Sequence, residues 1–317
     1  MPRVKPRADR PAIPASGNGH AQPAPAGAVT GATPPGAGVL YLVGTPIGNL
    51  EDITLRALRI LKEADQIACE DTRHTQKLLT HYDIHKPLVS YHEHNELTRA
   101  PELIVALEQG AKIALVSDAG MPLISDPGHR LVSLSVRHRI PVVPVPGPSA
   151  LLAALGASGL PSAEFLFVGF LPPRTGERRR ALERLRIEDR TIILYEAPHR
   201  IAETVSEARA VLGDRQACLA REVTKLHEEF RRGRLSELEV SLEERPARGE
   251  ITLLIAPADP AEAKPAESSQ SLAERVEELM RQAKLDRREA LKLAAKERGL
   301  TRRDAYDQVL TDRDKNG

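Results

Sequence analysis

The 317-residue sequence predicts two consecutive α/β domains followed by a small helical appendage. Three observations carry this. Short apolar runs alternate with amphipathic stretches from Val39 to about Ile255, as strands buried between helices do. Loops rich in glycine and proline follow several of those runs. A polar stretch, "APADPAEAKPAESSQ", then separates them from a basic, strongly capped C-terminal segment.

Residues 1–38 read as a disordered tail, because Pro, Ala and Gly bury too little apolar surface to offset the entropy of ordering. Scarce acidic residues there would suit an organelle transit peptide, but serine is nearly absent and proline too frequent for an amphipathic helix. The first domain is expected over 39–147, where "VLYLVG", "QIAC", "PLVSY", "KIALVS" and "IPVVPV" are strands of a largely parallel sheet. "TLRALRILKEA" and "ELIVALEQG" supply helices between them. A second domain over 148–258 has "EFLFVGF", "TIILYEA", "ACLAREV" and "ITLLIAP", again the continuous runs of strands buried on both faces. Residues 259–270 form the linker. Over 271–317, caps announce three short helices: Ser271 with Glu274, Asp286 with Glu289, and Thr301 with Asp304, with Gly299 ending the second.

Composition narrows the function classes. Aromatics are 3% and tryptophan is absent, so the core is aliphatic and stacking platforms for bases are scarce. A net charge of +1 gives no overall pull toward nucleic acid, so any such attraction comes from local clusters of Arg and Lys. Cys69 and Cys218 stand far apart without a CxxC, which argues against a disulfide framework or a thiolate zinc site. No run approaches a membrane span and no apolar core marks a signal peptide, so a cytoplasmic protein is expected.

Ligands of open α/β sheets bind beyond the carboxyl ends of the strands, which directs attention to five loops. "GTPIGNLEDIT" has two glycines but not the spacing of a dinucleotide cradle. "CEDTRHT" gathers Glu70, Asp71 and Arg73 at a strand end, with Asp71 or Thr72 placed to cap the next helix. In "YHEHNE", His92 and His94 face one side of an extended segment, but no third ligand supports a metal, and hydrogen bonding to a polar substrate suits them better. "SDAGMPLISDPG" stiffens its backbone with Pro122, Pro127 and Gly128 after Asp118, Ala119 and Gly120, as a main chain held against a ligand would. "VPGPSALLAAL" brings Ser149 to a helix start whose free amides point to the same side.

Taken in order, "LYLVGTPIGNLEDITLRAL", "EDTRHTQKLL", "SYHEHNE", "VSDAGMPLISDPG", "VPGPSALLAAL", "FVGFLP", "LYEAPHR" and "REVTKLHEEF" resemble the tetrapyrrole methylase fold family of S-adenosylmethionine-dependent methyltransferases. Within it they are most similar to the branch that 2′-O-methylates a cytidine in the decoding region of 16S ribosomal RNA. The likeness covers about residues 39–256 and, through the helical appendage, most of the rest. Met121 departs from it, standing where the family pattern has Thr, and the N-terminal tail lies outside it.

The resemblance implies a cleft between the two domains that holds S-adenosylmethionine largely by main-chain groups. Ile47, Asp118, Ala119, Gly120, Ser149, Ala150 and Glu196 are then its neighbours. A weakly acidic ribose hydroxyl needs a base, for which Glu70, Asp71, His92 and His94 are candidates, with Asn49, Arg73, Asn95 and Lys225 orienting the substrate. For 16S ribosomal RNA in the assembled small subunit, phosphate contacts are expected from Arg178, Arg179 and Arg180 within "PPRTGERRRALERLR", beside Arg174, Arg184 and Arg186. A second cluster, Arg281, Lys284, Arg287, Arg288, Lys292, Lys296, Arg302 and Arg303, lies on a helix-turn-helix-like segment suited to RNA or to a dimer contact. Two other readings stay open: the same fold acting on a tetrapyrrole or other small molecule, and a nucleic-acid-binding regulator using the C-terminal helices.

Overall fold

The computed structural model describes residues 38–258, 272–283 and 285–297, with residues 36, 305, 306 and 309. Nearly all of the N-terminal tail, the linker 259–270, Ser271, Lys284, Gly299, Thr301, Arg302, Arg303 and Asp304 lie outside the described residues. Two five-stranded sheets carry the fold.

The first sheet is built from β1 (Val39–Val43), β2 (Gln66–Cys69), β3 (Leu88–Ser90), β4 (Lys112–Val116) and β5 (Val142–Val145), in the order β3-β2-β4-β1-β5. Every pairing is parallel. A parallel sheet must be covered on both faces, and α1 (Leu55–Glu63), α2 (Thr72–His81), α3 (Glu96–Glu108) and α4 (His129–Arg137) do so. Val43, Ile60, Leu61 and Leu79 meet on one face, Leu40, Ile104, Leu115 and Leu131 on the other. The Thr54 hydroxyl accepts from the Ala57 amide and starts α1.

The second sheet holds β6 (Phe165–Phe170), β7 (Thr191–Glu196), β8 (Gln216–Arg221), β9 (Glu229–Arg234) and β10 (Ile251–Ile255), ordered β6-β7-β10-β8-β9. It is mixed: β6 and β7 run parallel, while β10 is antiparallel to β7 and β8, and β8 to β9. Its apolar runs are continuous all the same, because both faces are covered and burial, not strand direction, sets that pattern. One face carries α5 (Ala150–Ser158), whose Leu151, Ala154 and Leu155 pack on Ile193, Cys218 and Leu254. The other carries α6 (Thr175–Arg184), α7 (Ile201–Leu212) and α8 (Leu235–Glu244) over Leu194, Leu219 and Leu253.

The C-terminal helices α9 (Leu272–Ala283) and α10 (Arg287–Glu297) share a core of Leu272, Val276, Leu279, Ala290 and Ala294 with Ala305 and Val309. Arg287, Arg288 and Lys292 lie exposed on α10. Among the described residues, no helix is long and apolar enough to cross a membrane.

Candidate active site

The loops leaving both sheets enclose a cleft of about 380 Å³, within the range of about 300–1,000 Å³ for small-ligand sites. The first sheet contributes Ile47, Ala119–Met121 and Ile124–Asp126; the α5 start adds Ser149 and Ala150; the second sheet supplies Phe170, Tyr195–Pro198, Val223 and Gly249–Thr252. Of the seven positions expected to neighbour a cofactor, Asp118 is the one that does not line the cleft.

Backbone strain is concentrated here. The loop after β4 places Gly120 at φ +81°, Leu123 at +74°, Ser125 at +64° and Gly128 at +135°. For Leu and Ser such torsions cost on the order of 1–3 kcal/mol each and persist only where the surroundings impose them. The start of the loop is anchored by reciprocal main-chain bonds between Thr45 and Gly120 (2.9 and 3.1 Å) and by the Thr45 hydroxyl donating to Ser117 O at 3.1 Å. A Cβ on Gly120 would stand 3.4 Å from Ile47, in ordinary contact, so it is the φ of +81° that strains a side chain there. A second strained loop joins β8 to β9, with Glu222 at +52° and Thr224 at +68° on either side of the cleft residue Val223.

Beside the cleft lies a set of carboxylates. The Asp118 carboxylate accepts from the Asp71 amide at 3.2 Å and ties the β2 and β4 loops together. That explains its absence from the lining. Asp71 accepts from the Arg73 amide (2.8 Å) as the cap of α2 and pairs with the Arg73 guanidinium at 3.2 Å, which holds its carboxyl below the usual range. Glu70 has the opposite bias: burial and then Asp118 push it up, with His92 offsetting part. Asp126, on the cleft wall, is pushed up to about 6, by burial first and by Glu70 second.

The imidazoles divide in a similar way. Asn95 Oδ1 accepts from the His92 amide at 2.9 Å, while its Nδ2 donates to Ser90 O at 3.1 Å and lies 3.2 Å from His92 Nε2. Asn95 therefore shapes the turn and orients His92, whose Nδ1 is buried without a hydrogen-bond partner. His94 is exposed, its ring 6.0 Å from that of His92. Among the described residues, no group of three His, Cys, Asp or Glu could hold a metal.

The expected substrate-orienting residues scatter. Asn49 accepts from the Glu51 amide and caps a 3-10 turn at Leu50–Asp52. Lys225 reaches Glu222 at 2.9 Å and the cleft residue Glu250 at 3.2 Å, its stem against Gly48. Arg178 corrects the expectation of an RNA-facing basic patch: its side chain is 1% exposed and committed to Glu203 and Glu207 on α7, both at 2.6 Å. Arg179 and Arg180 beside it are exposed. Sequence reasoning missed Asp126, Ile124, Phe170, Tyr195, Val223, Glu250 and Thr252. Asp126 and Ile124 stand in a loop already singled out, but nothing local marks which of its residues turn inward.

The cleft suits S-adenosylmethionine. Apolar walls of Ile47, Val223 and Ile251 match an adenine ring, the backbone at Ala119 and at the start of α5 (Ala150) stands where its polar edges would lie, and Asp126 and Glu250 match ribose hydroxyls and an ammonium. Residues 39–239 match the family described as Tetrapyrrole (Corrin/Porphyrin) Methylases. Among solved structures, the methyltransferase CobJ aligns with a TM-score of 0.54 at 19% identity, over 70% of this chain and 95% of that one. A diphthine synthase aligns with 0.52 at 16%, over 69% and 90%. Both speak for the fold alone. Proteins named ribosomal RNA small subunit methyltransferase I are far more similar. That of Halalkalibacterium halodurans is 48% identical over 85% of this chain and 94% of its own. That of Synechocystis sp. is 47% identical over 86% and 98%. The Thermotoga maritima protein is 50% identical over 218 residues, 69% of this chain but 98% of its own length. The chain belongs to the tetrapyrrole methylase family of S-adenosylmethionine-dependent methyltransferases, in the branch named ribosomal RNA small subunit methyltransferase I.

Proposed function

We propose that the protein methylates the 2′ oxygen of a cytidine in the decoding region of 16S ribosomal RNA, on the assembled small subunit in the cytoplasm. The observation that carries this reading is the pairing of a cofactor-sized cleft with a carboxylate, Glu70, whose proton affinity is raised at its edge. The names of the most similar relatives supply the RNA.

S-adenosylmethionine supplies an electrophilic methyl group on a sulfonium. The chain's own work is alignment and proton removal. The strained loop at Ala119–Asp126 and the α5 start fix the cofactor's position through the backbone, which is where most of the rate in such a displacement arises. Glu70 takes the proton of the ribose hydroxyl as the oxygen attacks, since a carboxylate with a raised pKa is the stronger base. Asp71 is the poorer candidate because Arg73 already neutralises it. His92, held by Asn95, lies beside Glu70 and offsets part of the rise in its pKa. Phosphates are met by Arg179 and Arg180 and by Arg287, Arg288 and Lys292.

The test is transfer of labelled methyl to small subunits lacking the modification, followed by digestion to nucleosides. A 2′-O-methylated cytidine, lost in a Gly120→Val variant, is expected. Cofactor binding without RNA labelling would move the reading to a small-molecule acceptor. Cofactor binding that never yields S-adenosylhomocysteine would favour a regulator.

A further inference from the structure

Of the chain's five Tyr and four Phe, three stand together at the cleft: the Tyr195 ring lies 5.0 Å from that of Phe167 and 5.7 Å from that of Phe170. Phe170 is 57% exposed, whereas Glu196 and Thr252 on the cleft floor are 3% and 4% exposed. Leaving a phenyl ring in water forgoes burial worth on the order of 1.5–3 kcal/mol. The strand is also bent to aim it there. The register of β6 on β7 shifts between Phe167 and Gly169, and Gly169 takes φ +75°. A bulge of this kind re-aims the side chain that follows.

Across the cleft, Ile124 is 42% exposed on the loop after β4. Its neighbour Ser125 places Oγ 3.1 Å from where a Cβ on Gly169 would stand, so the two lips meet at residues adjacent to both exposed side chains. An exposed aromatic ring on one lip and an exposed aliphatic side chain on the other offer the kind of apolar faces against which an unstacked base lies. Phe170 is exposed where Glu196 and Thr252 are buried, so it stands at the mouth of the cleft rather than on its floor.

We propose that Phe170, with Ile124 opposite, is the stacking platform for the nucleobase of the nucleotide being methylated. The inference rests on the RNA reading and adds to it the means by which the target is held out of the RNA fold. Arg174, four residues beyond Phe170, is exposed at the N-cap of α6 and paired with Glu177 at 3.1 Å.

The test compares wild type with Phe170→Ala, Phe170→Leu and Phe170→Tyr, measuring the KM for unmodified small subunits, kcat, and the Kd for S-adenosylmethionine. Ala and Leu are expected to raise the KM for the subunit roughly 5- to 100-fold, the range of base stacking on an aromatic side chain. Tyr should restore it, and the cofactor Kd should stay within about twofold throughout. Leu keeps the apolar area and removes the ring, so a Leu variant equal to wild type would overturn the proposal. So would an Ala variant that loses cofactor affinity as strongly as subunit affinity, because Phe170 would then belong to the cofactor's wall. A wild-type protein that labels no RNA removes the acceptor reading itself; an active wild type with an unchanged KM in the Ala variant removes only the platform.

Discussion

The two sheets treat charge in opposite ways. Around the second, charged groups are paired and fixed: Arg178 bridges to Glu203 and Glu207, Arg231 is 7% exposed and donates to the carbonyls of Ser241 and Arg245, and Arg215 donates to Leu212 O. Around the first, Glu70, Asp118 and Asp126 gather in the loops after β2 and β4 with no ion-pair partner among the described residues, and burial first, then the neighbouring carboxylates, makes Glu70 and Asp126 hold their protons more tightly. A carboxylate without a counter-charge lowers stability, and such groups persist where chemistry uses them. On the proposed function, the contrast makes the second sheet a wall of the cleft with its charges paired and the first its proposed reactive edge.

The largest test of that division is Glu70→Gln. Loss of the base should lower kcat on small subunits roughly 10²- to 10⁴-fold, with cofactor affinity kept because Glu70 does not line the cleft. Wild-type kcat should fall on acidification at a pH above the usual carboxylate range, since folding raises this group's pKa. Such a group adds stability below its unfolded pKa and loses that contribution as pH rises through the folded one, so the Gln variant should melt no lower than wild type at neutral pH. A Gln variant with wild-type kcat would place the base elsewhere, His92 first.

Arg178→Met probes the other half. Breaking a buried pair by removing one partner costs about 3 kcal/mol, or a melting temperature lower by roughly 6–12 °C in a chain of this size. Activity per folded molecule and its salt dependence should be unchanged. Arg179→Ala with Arg180→Ala should do the reverse, leaving melting alone and reducing the salt slope of subunit binding by about 1 for each residue. Equal effects of the two substitution sets on RNA affinity would erase the distinction drawn between neighbouring arginines.

Those arginines also mark how far the sequence could be read. The parallel first sheet was legible because each strand is followed by a helix, and the glycines and prolines after β4 marked a shaped loop. The mixed order of the second sheet was not, since β10 inserts between β7 and β8 without changing the apolar runs of any of them. In "ERRRALERL" a run of charge hid a helical period: Arg178 shares its face with Ala181, Leu182 and Leu185, all buried. Its partners, Glu203 and Glu207, lie one turn apart on α7, a spacing that could have been noticed. Asp126 had no such signal, because its environment is made by burial in the cleft wall and then by Glu70, a residue from a different strand end.

The smallest expected effect is the one most specific to that environment. Asp126→Asn removes a carboxylate whose pKa folding raises to about 6, so its stabilising effect should be absent near pH 4, grow as pH rises, and level above pH 6. In the cofactor-free protein the gain should be a few degrees in melting temperature, by the conversion of roughly 2–4 °C per kcal/mol. A gain that is flat with pH would mean the Asp126 carboxylate is already compensated. Because Glu70 is among the causes of the Asp126 shift, the two substitutions should stabilise less together than the sum of each alone. Strict additivity would separate the cleft wall from the proposed base, and the reactive edge would then be two sites rather than one.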